Sequence, residues 1–190
     1  MRFSELKFLL RCDLYRYEGR EGLASLLKTL HSNPGFKYTF WMRVCRYLRS
    51  SPIRYPLYVF SKILLDHYKY KFGIDIPFAT RIGEGLYIGH FGGIVVNECS
   101  VIGKNCNLSH EVTLGQANRG KRKGYPVIGD NVYIGPGAKV IGNVSLGNAV
   151  AVGANCVVTH DVPENGVVVG VPGRVISRQG SADYVNRTLT

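Results

Sequence analysis

Carboxylates are scarce in this chain. Its 190 residues carry 13 Asp and Glu against 24 Lys and Arg, a formal net charge of +11. An excess of that sign is common in nucleic-acid binders, but here Lys and Arg are dispersed and no nucleic-acid motif is present. A small anionic ligand accounts for the charge more economically, and no nucleic-acid partner is expected. Cysteine is equally sparing: Cys12, Cys45, Cys99, Cys106 and Cys156 show neither CxxC nor metal-ligand spacing, which excludes a zinc ribbon or dithiol motif. Long apolar runs are missing too. The most apolar stretch, residues 53–72, carries Arg54, Lys62, Asp66, His67, Lys69 and Lys71, a charge load that rules out a plain transmembrane span. No apolar leader follows Met1, so a reducing, cytoplasmic setting is expected.

What is present is a count of six. Aliphatic residues stand at Ile76, Ile82, Ile88 and Ile94. After a slip of two they resume at Ile102, Leu108 and Leu114, and after a longer gap they run from Ile128 through Ile134, Val140, Leu146 and Val152 to Val158. Gly follows many of them, and a small or branched residue recurs four places on, as at Val112, Val132, Ala138, Val144, Val150 and Cys156. A period of six belongs to neither helix nor simple strand. It marks a β-helix of hexapeptide repeats, in which each hexad supplies a short strand and a corner and stacked coils share one core. Cys106 and Cys156 fall on the inward fifth position and are expected to be buried.

The expected division is a helical N-terminal region over 1–72, the β-helix over 73–176 with an outlying loop at 116–127, and a tail over 177–190. Helices are expected from Phe3 to His31, with a break near Gly19–Gly22, then from Phe36 to Leu48 and from Ile53 to Phe72. Residues 53–72 are expected to pack on the first coil or a neighbouring subunit. Their basic, aromatic character also suits peripheral contact with the inner face of a membrane. The densest basic run, Arg119 to Lys123, lies in the loop.

Two histidines hold equivalent places. His90 and His110 are each third in their hexads, a position that points outward, and the hexads are three apart. The pair should therefore share one face on successive coils, about 5 Å apart. Counting in sixes puts Asp75 on that face one coil below. An Asp and two His converging on an outer edge form a candidate general-base site. Stacked histidines that hold a metal, or a β-helix with no catalytic role, remain the readings of a different class. His31, His67 and His160 have no such company.

Asp75-Ile-Pro, Ile82-Gly-Glu-Gly-Leu, His90-Phe-Gly-Gly-Ile-Val-Val, His110-Glu-Val-Thr-Leu-Gly, Ile128-Gly-Asp-Asn-Val and Gly170-Val-Pro-Gly-Arg resemble the serine acetyltransferase group of hexapeptide-repeat acyltransferases. The resemblance is close over 75–176 and loose around Pro34-Gly35-Phe36 and Arg43. It implies a left-handed parallel β-helix, acetyl-CoA as cosubstrate, no metal, and a homotrimer or a dimer of trimers. It also implies roles: His90 as catalytic base, Asp75 as the residue that orients it, and Gly115, Ala138, Lys139, Gly153, Ala154 and Arg174 along the coenzyme A cleft.

Three departures stand out. The group usually has Asp before the catalytic His, where this chain has Gly89. It usually has Arg-His before the loop's closing Pro, where this chain has Gly124-Tyr125. The aspartate that its helical region offers to the serine amine has no clear counterpart near Gly19–Gly22, although Glu18 or Glu21 could substitute. Without these groups a buried ammonium is costly, and Tyr125 and Gly89 suit a sugar ring. The expected activity is therefore acetyl transfer to a hydroxyl of a polysaccharide or its precursor, with L-serine as the alternative acceptor. His110-x-Val-Thr-Leu-Gly, which also resembles polysaccharide O-acetyltransferases, points the same way.

Overall fold

The computed structural model describes residues 1–189. Four helices come first: α1 (Phe3–Glu18), α2 (Leu23–Ser32), α3 (Pro34–Arg49) and α4 (Tyr55–Phe72). Local chemistry sets their ends. Gly19 and Gly73 close α1 and α4 in the left-handed conformation, at φ 65° and 61°. Asn33 caps α3 by accepting the Phe36 N–H at 3.0 Å, with Pro34 in the first turn. No described helix is long and apolar enough to cross a membrane.

The strands follow in a left-handed parallel β-helix of three faces. The first face holds β2 (Arg81–Ile82), β5 (Val101–Ile102), β8 (Val127–Ile128) and β11 (Ser145–Leu146). The second holds β3 (Tyr87–Ile88), β6 (Asn107–Leu108), β9 (Tyr133–Ile134), β12 (Ala151–Val152) and β14 (Val167–Val169), with β15 (Arg174–Ser177) antiparallel at its edge. The third holds β1 (Ile74–Asp75), β4 (Ile94–Val96), β7 (Thr113–Gly115), β10 (Lys139–Ile141) and β13 (Val157–Val158). Inward residues stack coil on coil. Ile88, Leu108, Ile134, Val152 and Val168 form one buried column, and Val96, Leu114, Val140 and Val158 another.

The register moves the slip in the count. Val96, not Ile94, aligns with Leu114, so the two extra residues lie in the corner between Ile88 and Val96. Both Ile94 and Val96 are inward and buried, which is why the aliphatic pattern alone misplaced the slip. The corner that departs from the repeat is the one that carries His90.

The helices are fastened to the first coils by a buried ion pair. The Asp13 carboxylate accepts from Arg43 Nε at 3.0 Å and from the Leu86 N–H at 2.9 Å, while Arg43 Nη1 donates to the Ile82 carbonyl at 2.8 Å. Every strong donor and acceptor of the pair is thus met inside the fold. Helix α3 lies against β3 so closely that a Cβ on Gly35 would stand 2.1 Å from the Ile88 oxygen. Only glycine fits there.

Candidate active site

Where the second face turns into the third, one residue per coil stands on the edge. The ladders align them as His90, His110, Pro136, Ala154 and Gly170. The rings of His90 and His110 are 6.0 Å apart and nearly perpendicular, at 88°. His90 is exposed, whereas His110 Nδ1 is buried and has no hydrogen-bond partner. A buried polar atom without a partner is uncommon and marks a place where a ligand can complete the bonding. Glu111, which follows His110, is held at φ 59°, a strained conformation for a glutamate.

Beside His90 opens a cavity of about 190 Å³, lined by Tyr87, Gly89, His90, Asn107, Leu108, Ser109 and Tyr133. Larger hollows lie elsewhere, between α1 and α2 and beside Arg49 and Tyr55. Neither contains a histidine, so the chemistry favours the smaller one. Gly89 has a specific neighbour: a Cβ there would meet the Tyr87 ring at 3.0 Å and its hydroxyl at 3.2 Å. The Tyr87 phenol therefore occupies the space into which a side chain at position 89 would extend.

Distant parts of the chain hold this cavity in shape. The Tyr17 hydroxyl, on α1, donates to the Ile88 carbonyl at 3.2 Å and accepts the Ile88 N–H at 2.9 Å, two residues before His90. Burial pushes its pKa up, so it remains a neutral phenol. Arg16 is buried behind Asn107 and donates to its Oδ1 at 2.6 Å. Asn107 Nδ2 in turn donates to the Tyr184 carbonyl at 2.8 Å, and the Tyr184 ring stacks on Tyr133 at 4.3 Å. Tyr17, Arg16, Asn107 and Tyr184 escaped sequence reasoning because their partners lie far along the chain and no short motif announces them.

Several expectations are corrected by the geometry. Asp75 does not share the edge with His90. It aligns with Val95 and Thr113 on the third face and pairs with Lys69 at 2.8 Å. Among the described residues no hydrogen bond or ion pair joins it to His90. Counting in sixes failed because it carried the misplaced slip through the corner. Tyr125 does not line the cavity either. It precedes β8 at the corner between third and first faces, where a hydrogen bond with Cys99 raises its pKa. Ala138 is wholly buried in the core, so its side chain cannot line a groove. Gly115 sits at the end of β7 against Ile141, away from the histidine edge. Glu18 and Glu21, the candidate substitutes for the missing carboxylate, are engaged by Lys28 and Arg11.

The remaining residues border the edge. Gly153 leads into it and Ala154 stands on it, exposed. Lys139 lies just around the corner on β10, its Nζ donating to the Glu111 carbonyl. Arg174 is exposed on β15, opposite Val169. Above the histidines the edge is built of Pro136, Ala154 and Gly170, none with a long side chain, over three coil steps or about 14 Å. A thin, extended ligand can lie along it, with cations from Lys139 and Arg174 beside it. Among the described residues no three His, Cys, Asp or Glu side chains gather around one point.

Residues 125–160 match the family described as bacterial transferase hexapeptide (six repeats). A serine acetyltransferase of Synechococcus elongatus is 38% identical over 154 residues, covering 81% of this chain and 62% of that protein. Among solved structures, the Brucella abortus serine acetyltransferase in complex with coenzyme A matches with a TM-score of 0.76 and 30% identity, over 94% of this chain and 70% of the other. The Neisseria gonorrhoeae serine acetyltransferase in complex with serine matches at 0.75 and 31%, over 92% and 70%. The chain belongs to the serine acetyltransferase group of hexapeptide-repeat acyltransferases. It spans about three fifths of the curated serine acetyltransferases it matches, 62% of the Synechococcus protein and 58% of the Staphylococcus aureus one. These matches overturn the expectation of a polysaccharide acceptor. These relatives and neighbours are serine acetyltransferases, the reading first held as the alternative.

Proposed function

We propose that this protein transfers the acetyl group of acetyl-CoA to the hydroxyl of L-serine. The observation that carries the reading is the small polar cavity at His90. Pockets for drug-sized ligands run to about 300–1,000 Å³, and this one, at about 190 Å³, suits a single amino acid. Family membership sets the chemistry, and the edge above His90 offers a path for the pantetheine arm of coenzyme A, with Lys139 and Arg174 for its phosphates.

In this reading the neutral imidazole of His90 takes the proton of the serine hydroxyl as its oxygen attacks the thioester carbon. The tetrahedral intermediate collapses with loss of the coenzyme A thiolate, which takes the proton back from the imidazolium. His110 borders the base on the next coil. Asp75 would serve as the orienting carboxylate only after release from Lys69. The Tyr87 hydroxyl fills the place of the Asp found before the histidine in relatives and supplies a polar partner for the serine amine. A homotrimer in the cytoplasm, or a pair of trimers, completes the proposal.

The test is thiol release from acetyl-CoA with L-serine, L-threonine and L-homoserine as acceptors. Saturable turnover that prefers L-serine is expected. Hydrolysis alone, equal with every acceptor, would remove serine from the reading.

A further inference from the structure

We propose that the exposed face of α4 docks the protein onto an anionic lipid surface. The helix buries Ser61, Leu65 and Phe72 against the rest of the fold. Its opposite side is open and largely apolar, interrupted by the exposed His67: Ile53, just before it, is 90% exposed, Leu57 61%, Phe60 59%, Ile63 63% and Tyr70 81%. Spacings of three, four and seven put these residues on one broad stripe. Apolar side chains this exposed along one helix are more than the scattered ones a soluble surface normally carries.

Charge identifies the occupant. Residues 49–72 contain Arg49, Arg54, Lys62, Lys69 and Lys71 against one carboxylate, Asp66. Asp66 is already paired with Lys62, and Lys69 with Asp75. Were a second copy to dock symmetrically on this face, the same patch would meet itself and unpaired cations would oppose cations. An anionic bilayer meets both features, the apolar stripe entering the acyl boundary and the cations resting among headgroups. The end of the stripe has a suitable cleft for one such headgroup, lined by Arg49, Ser50, Ser51, Pro52 and Tyr55. Beside it the Arg54 guanidinium lies 4.0 Å over the Tyr47 ring, with its Nε buried and unpartnered. Tyr55 and Tyr70, near the two ends of the helix, have the amphipathic character favoured at a membrane–water boundary.

The experiment is co-sedimentation of the full chain with vesicles of phosphatidylcholine alone and of phosphatidylcholine mixed with phosphatidylglycerol. Binding to the mixed vesicles is expected to be at least about tenfold stronger and to weaken as salt is raised. Phe60→Glu combined with Ile63→Glu should weaken it about tenfold or more while leaving the melting temperature near wild type, because both side chains are exposed. Equal pelleting of wild type and variant would overturn the proposal. So would failure of the wild type to pellet with mixed vesicles. In that case a smaller assembly for the variant in analytical ultracentrifugation would show that a second copy covers the face instead.

Discussion

At the scale of single residues the site rests on His90. It stands exposed on the solvent side of an edge and is not part of the stacked core, so its removal should cost rate and not fold. His90→Ala is expected to lower turnover by about 10²–10⁴-fold, the usual loss for a general base, with an unchanged circular dichroism spectrum. His110→Ala should cost less, since in the proposed chemistry that ring borders the base without replacing it. If His110→Ala abolished turnover while His90→Ala retained it, the roles would be reversed. The histidine pair was legible in the sequence because equivalent hexad positions stack, whatever else the repeat does. Asp75 was not, since its place depended on where two extra residues fall. Tyr17 and Asn107 hold the cavity through partners 71 and 77 residues away, and pattern reading does not reach contacts that distant.

Among elements, the coils were the most legible part of the molecule, because a buried column imposes its period directly on the chain. The corners were less so. At the turn from first to second face the left-handed conformation recurs at Gly85, Asn105, Asn131, Ala149 and Asn165, with φ between 53° and 75°. Glycine and asparagine adopt it readily, whereas alanine does so at a cost of about 1 kcal/mol. Ala149→Asn should therefore raise stability by roughly 0.5–1 kcal/mol, read from the midpoint of chemical denaturation. A lower midpoint would contradict it. The basic loop before β8 is tethered differently. Asp161 accepts the Ser145 N–H at 2.8 Å and the Arg122 guanidinium at 2.9 Å, and these hold its pKa below the ordinary carboxylate value. A depressed carboxylate stabilises the fold above its unfolded pKa and loses that contribution as pH falls through the folded value. Cleavage of the 116–126 loop by an acid-tolerant protease should accelerate across that window in the wild type. In Asp161→Asn the acceleration should vanish, and an unchanged pH dependence there would contradict the tether.

For the whole molecule, the sequence departures at Gly89 and Tyr125 pointed toward a neutral sugar, and the fold explains why that inference failed. Position 89 is glycine beside a tyrosine whose hydroxyl takes the adjacent space, so a missing carboxylate does not mean a missing polar partner. Tyr125, read as a platform for a sugar ring, lies at another corner of the prism. The cavity that does lie at the base is small and lined by Tyr133, on which the tail residue Tyr184 stacks, and its size favours a compact acceptor. The measurement that bears most directly on this account is mass spectrometry of the products formed from acetyl-CoA and L-serine, with wild type and His90→Ala side by side. O-acetyl-L-serine and free coenzyme A in equal amounts from the wild type, and neither above background from the variant, are predicted. Free coenzyme A without O-acetyl-L-serine, or equal product from both proteins, would contradict it.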